Sequence, residues 1–173
     1  MNFKNLLPFD NFTLQTKLSA TDVWQRIENI TEAKEHSSFS FSGNSTKPYV
    51  GELSDRTFKI WRVTNQRNSF LPIIKGQVAT YLGKTEIAIK MRPAVFVLVF
   101  MCLWLGIVGI TCVGIIINTF LEFQEQPGKH FSPVSLIPFG MFAFGYALLT
   151  IAYKTESRKS KAFLKELLEA EEI

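Results

Sequence analysis

Residues 94–120, AVFVLVFMCLWLGIVGITCVGIIINTF, are the core of the longest stretch in this chain without a charged side chain. An α-helix rises 1.5 Å per residue, so about 20 apolar residues cross the hydrocarbon core of a bilayer. A helix at the surface of a soluble protein keeps a polar face, and this segment has none. The sequence therefore predicts a membrane span over 94–120. A second uncharged stretch covers residues 131–153. Pro133 and Pro138 fall near its first turns, where proline is tolerated, so residues 134–153 are read as a second span. Composition agrees: with 47% hydrophobic and 20% charged residues among 173, the chain is neither disordered, collagen-like nor a disulfide scaffold.

Orientation follows from lysine and arginine near the span ends, because positive residues are retained on the cytoplasmic side. Lys75, Lys84, Lys90 and Arg92 precede the first span, and Lys154, Arg158, Lys159, Lys161 and Lys165 follow the second. The link between the spans holds only Lys129 against Glu122 and Glu125. The expected arrangement is a multi-pass cell-membrane protein with both termini cytoplasmic. Residues 1–93 form a cytoplasmic domain, 94–120 and 134–153 the two spans, 121–133 a short external loop, and 154–173 a cytoplasmic helix. The opening MNFKNLLPFDNF lacks the apolar core of a secretory signal. Cys102 and Cys112 lie about 15 Å apart along one helix and cannot pair within the chain. Small residues lie in two stripes, Cys102, Gly106 and Gly109 on the first span and Gly140, Ala143 and Ala147 on the second. These are the expected helix-packing positions, within the hairpin or between copies in a homo-oligomer.

Ahead of the membrane the hydrophobic period changes twice. Phe12, Leu14, Thr16 and Leu18 alternate with polar residues, as in a half-buried strand. Ser19 followed by Asp22 then caps a helix whose Val23, Trp24, Ile27 and Ile30 share a face. SSFSFSG, YVGEL, TFKIWRVT, PIIKGQVATYL and TEIAIKM follow as short β-type runs between turn residues. Short links favour an antiparallel meander in β-α-β order, which makes the whole an α+β membrane protein. Arg92-Pro93 joins the last strand almost directly to the first span, so the sheet is expected to be held close to the headgroups. Residues 154–172 carry Phe163, Leu164, Leu167 and Leu168 on one side of a helix, a stripe that needs an apolar partner.

The segment FTLQTKLSATDVWQRIENI resembles the opening strand and helix of START-like helix-grip domains. The later strands and ESRKSKAFLKELLEA would supply the sheet and closing helix, with the membrane hairpin inserted between them. The resemblance is one of element order and rests on no family motif. It implies a carrier of a lipid or another apolar small molecule, with Trp24, Phe39, Phe41 and Phe58 lining its cavity.

Chemistry leaves few marks. His36 and His130 are the only histidines; the first falls in a polar link and the second on the expected external side. No metal-binding spacing of Cys and His and no phosphate loop occurs, so neither a catalytic site nor a metal or other cofactor is expected. Arg56, Lys59, Arg62, Arg67 and Lys75 form a stretch without an acidic residue, and residues 47–92 hold nine basic against three acidic side chains. Attraction to membrane lipids explains such a charge, and a small anionic ligand is the sharper reading. Phe58, Ile60 and Arg62 share one strand face, so Arg62 is expected to need an acid, a carbonyl or a bound anion. The polar stretch Asn65-Gln66-Arg67-Asn68-Ser69-Phe70 stands ready to complete that site. The candidate ligand residues are thus Lys59, Arg62, Arg67, Asn68 and Lys75. The modest charge and the missing recognition motif argue against nucleic acid. The sequence points to a non-enzymatic binding or sensing module whose ligand, lipid or protein partner is coupled to assembly of the hairpin.

Overall fold

The computed structural model describes residues 7–33, 46–64, 69–81, 83–125 and 132–173. The described residues form an α+β structure with a seven-stranded mixed sheet and three α-helices. It divides into two compact units, one built from Met1–Ala94 together with Ala152–Ile173 and the other from Val95–Ile151.

In the first unit, strand β1 (Asp10–Thr16) runs into helix α1 (Ala20–Ile30). The helix starts where expected because Ser19 and Asp22 form a reciprocal cap: the Asp22 amide donates to Ser19 Oγ at 3.1 Å, and the Ser19 amide donates to Asp22 Oδ2 at 3.3 Å. Val23 and Ile27 are buried on its apolar side, with Trp24 and Ile30 packed at the margin. Strands β2 (Thr31–Ala33), β3 (Tyr49–Ser54), β4 (Thr57–Arg62), β5 (Ile73–Tyr81) and β6 (Lys84–Arg92) follow, and β7 (Ala170–Glu172) closes the sheet in the order β2-β3-β4-β5-β6-β1-β7.

The expectation of a purely antiparallel sheet fails at one pair, since β2 lies parallel to β3. A parallel neighbour needs a connection of about a dozen residues or more, and residues 34–48 supply it. The expected strand SSFSFSG lies outside the described residues.

The C-terminal part of α3 (Ile137–Leu167) belongs to the first unit's core. Tyr153, Ser157, Ser160, Leu164 and Leu168 recur at helical spacing and are all buried. The aliphatic members join Leu14, Ile60, Ile74, Ile87 and Met91 from the sheet and Val23 and Ile27 from α1 in one cluster. The apolar stripe read from the sequence thus finds its partner in the sheet of its own chain. The helix does not reach Glu172, as its pattern suggested. It stops at Leu167, Glu169 adopts φ +47°, and the chain turns to lay β7 beside β1. The last helical carbonyls have local donors: the Arg26 guanidinium donates to Leu167 O at 2.7 Å, and the Thr16 hydroxyl donates to Leu168 O at 2.7 Å.

The second unit holds α2 (Val95–Glu125), a 3-10 turn (Pro133–Leu136) and the N-terminal part of α3. Two helices are long and apolar enough to cross a membrane, over Val95–Glu122 and Pro133–Leu167. Only 22% and 11% of their most apolar windows are buried, and Phe96 and Ile110 are exposed at 81% and 75%. The first helix runs past the expected end at residue 120. The expected boundary at residues 153 and 154 falls inside the continuous helix α3.

Candidate functional site: the basic outer face of the sheet

The two faces of the sheet have opposite chemistry because the strand period is two. Leu14, Phe58, Ile60, Ile74, Val78, Ile87, Ile89 and Met91 face inward and are buried. Their neighbours face outward in rows fixed by the strand registers. The first row is Val50, Trp61, Ile73 and Arg92. The second is Glu52, Lys59, Lys75, Lys90 and Asn11. Ser54, Thr57, Gln77, Ala88 and Thr13 form a neutral third row. Ala79, Glu86, Gln15 and Glu171 form the fourth, and Tyr81 pairs with Lys84 at the tip.

The second row places three lysines directly opposite one another on adjacent strands. Like charges in that relation destabilise a sheet, so the row is the strongest local conflict on this surface. Lys59 is answered in part by Glu52 at 3.7 Å, a pair exposed on both sides and worth at most about 1 kcal/mol. Lys75 and Lys90 are exposed and have no ion pair among the described residues. Together the first two rows carry four cations against one carboxylate; the fourth row and the tip carry one cation against two.

The structure separates the residues grouped by sequence. Lys59 and Lys75 lie together on the outer face, joined by Lys90 and Arg92, which the sequence reading used for orientation and did not include among the ligand residues. Arg62 is on the inner side of the same sheet, where the expected acid is present: its guanidinium lies 3.7 Å from Glu156 of α3. Glu156 is 13% exposed and also meets Lys159 at 3.0 Å. Tyr49, opposite Arg62 in the β3–β4 ladder, stacks at 5.4 Å on Phe163. Burial raises the Tyr49 hydroxyl above its usual pKa of 10.0, opposed by the hydroxyl of Ser160 and the nearby Arg62 charge. This inner corner is an ion-paired seam between sheet and helix. Arg67 and Asn68 lie outside the described residues, as do His36 and His130.

A second seam lies at the start of β1. Asp10 receives Lys154 Nζ at 2.6 Å and the Ser157 hydroxyl at 2.6 Å. The Tyr153 hydroxyl donates to Met91 O at 2.7 Å. Arg26 with Glu169 and Lys161 with Glu172, each at 2.7 Å, fasten the far end of the helix. Of the residues expected to line an apolar cavity, Phe58 is buried with its ring seated over Gly76, where a Cβ would overlap it. Trp24 packs at the core margin, and Phe39 and Phe41 lie outside the described residues.

In the second unit, Phe142 packs on Gly109, and Trp104 and Leu105 pack on Gly145. Val97, Met101, Val108 and Cys112 form the buried side of α2. Of the six small residues expected at helix contacts, Gly109 is at one, and Ala147 is half-buried. Cys102, Gly106, Gly140 and Ala143 are exposed, and a Cβ on Gly106 or Gly140 would meet nothing. An open groove of about 570 Å³ runs past Gly109, Ile110, Cys112, Val113, Phe139 and Phe142, and its lining is apolar. Among the described residues, no three His, Cys, Asp or Glu side chains are placed to hold a metal ion.

Comparison of the chain with protein-family models, with curated proteins and with solved structures returned no match.

Proposed function

We propose that this is a two-span integral membrane protein whose α+β unit faces the cytoplasm and acts as a non-enzymatic binding module for a negatively charged partner. The row Lys59, Lys75 and Lys90 carries the binding half of this reading: like charges held side by side, of which only Lys59 meets a carboxylate, conflict with sheet stability unless an anion answers them. The topology has a separate support. Residues before α2 and after Ile151 build one core, so both flanks of the hairpin lie on the same side of any membrane it crosses. The excess of lysine and arginine on both flanks makes that side the cytoplasmic one.

Coupling to the hairpin would run through α3. One helix supplies apolar residues to the second unit and the buried stripe ending at Leu168 to the first. That continuity of α3 in sequence and secondary structure is the support for the proposed coupling. The outward small residues Cys102, Gly106, Gly140 and Ala143 suit assembly between copies. The carrier reading retains the closing helix in its favour, while Phe58 filling the space over Gly76 favours binding at the outer surface.

The experiment uses the full chain in detergent micelles on a polyanion resin. The wild type is expected to be retained and released by salt, K75E/K90E to flow through, and K84E to behave as the wild type. Retention of K75E/K90E at wild-type salt would remove the binding reading. Release of the protein from membranes by alkaline carbonate would remove the spans.

A further inference from the structure

From the order of the rows on the outer sheet face we infer that the anionic partner is the surface of a phospholipid bilayer, engaged edge-on with the row of Arg92 deepest. This rests on the binding reading above and adds the identity of the partner. Rows two residues apart along a strand are separated by about 7 Å. Proceeding from the Arg92 end, the surface is apolar and aromatic at Val50, Trp61 and Ile73, and cationic at Lys59, Lys75 and Lys90. It is then neutral at Thr57, Gln77 and Ala88, and acidic at Glu86 and Glu171. A bilayer presents the complementary sequence along its normal, from acyl region through phosphates to water.

The spacings match the range of the forces. With the lysine row at the phosphates, the first row lies about 7 Å deeper, in the interfacial layer that tryptophan favours. Glu86 and Glu171 stand about 13 Å outward, beyond the screening length of about 8 Å at physiological salt, so their repulsion by the leaflet is small. A nucleic acid or an acidic peptide lying along the lysines would satisfy the charge but leave the exposed part of the half-buried Val50 and Ile73 without an apolar counterpart. Among the described residues of the first two rows, Glu52 is the one carboxylate that opposes the contact, and it is already engaged with Lys59.

The test is amine footprinting of the full chain in nanodiscs of phosphatidylcholine and of phosphatidylcholine mixed with phosphatidylglycerol. Lys84 serves as the internal reference because it sits about 20 Å along β6 from Lys90. Each lysine near an anionic leaflet contributes about 1 kcal/mol, so labelling of Lys75 and Lys90 relative to Lys84 should fall about fivefold in the anionic discs and recover in high salt. Equal labelling in the two bilayers overturns the inference. If inorganic polyphosphate then protects Lys75 and Lys90 in phosphatidylcholine discs, the face still binds anions and only the lipid assignment fails. If polyphosphate also leaves labelling unchanged, the binding reading falls with it.

Discussion

Reversing the charge at Arg62 separates a structural ion pair from an anion site, and the geometry sets the expected size of the effect. The guanidinium is 3.7 Å from Glu156, with side-chain exposures of 40% and 13%. Exposed pairs contribute about 0.2–1 kcal/mol, while breaking a buried pair costs about 3–5 kcal/mol. Glu156 retains Lys159 at 3.0 Å when Arg62 is lost, which places Arg62→Ala near the lower range, at about 1 kcal/mol. Arg62→Glu adds repulsion of similar size, for about 2 kcal/mol in all. In R62E/E156R the attraction returns in reverse, less a few tenths of a kcal/mol because the guanidinium transferred to the helix would sit one turn from Lys159. Pulse proteolysis in urea on the micellar protein reads these differences as midpoints. At a slope of about 2 kcal/mol/M, R62E should unfold about 1 M earlier than the wild type, and the swap should recover more than half of that. Retention on a polyanion resin should be largely conserved in the swap, because the outer lysines are untouched. A swap no more stable than R62E would refute the ion pair. Loss of retention in R62E at unchanged stability would return Arg62 to the binding site.

Gly76→Ala places a Cβ into the Phe58 ring, so overpacking of about 1–3 kcal/mol should outweigh the about 0.5–1 kcal/mol that alanine normally gains over glycine in a strand. Adding Phe58→Leu should recover at least about 1 kcal/mol in a double-mutant cycle measured by urea midpoints, and strict additivity would show that the ring does not occupy that space. The raised pKa of Tyr49 means that above pH 10 the unfolded chain loses its phenolic proton while the folded one keeps it. Stability should therefore be complete below that pH and decline as pH rises through the folded-state value, a slope that Tyr49→Phe should reduce in midpoints taken from pH 9 to 11. Leu164→Ala empties a fully buried site under the sheet and should cost about 2–5 kcal/mol by the same assay, with a loss under 1 kcal/mol contradicting the docked helix.

Much of the first unit was legible because local signals agreed. The Ser19–Asp22 cap and the change from a period of two to a helical period at Ser19 mark β1 and α1. The turn at Gly83, with φ +76°, fixes which residues of β5 and β6 face each other, and with it the pairing of Lys75 and Lys90. That pairing was available from the turn alone, yet a search for runs of basic residues passes over it, since the two lysines are fifteen positions apart in sequence and adjacent in space. Arg62 could be assigned to the apolar face from alternation, but Glu156 could not be named as its partner, because periodicity carries no information about which distant element covers a face. The parallel β2 and the short β7 escaped for a related reason. Each has three residues, fewer than a period needs to show itself, and each exists through the strand it borders.

The hairpin shows the opposite failure, where a rule was legible but incomplete. Small residues permit close helix approach, and the stripes at Cys102 and Gly140 satisfy that rule, yet the contacts within the hairpin use glycine as a seat for a large ring. Phe142 on Gly109 and Trp104 on Gly145 place bulk against absence, which gives the Trp104 ring a seat inside the second unit. The two patterns make opposite demands on substitution. Gly145→Leu should displace Trp104, seen as a shift in its fluorescence, and leave any association between copies in place. Gly106→Leu fills open space within the hairpin and should weaken only contacts between copies, read by cross-linking through the exposed Cys102 in a C112S background. If both substitutions disturbed Trp104 equally and neither altered cross-linking, the outward stripe would have no role in assembly.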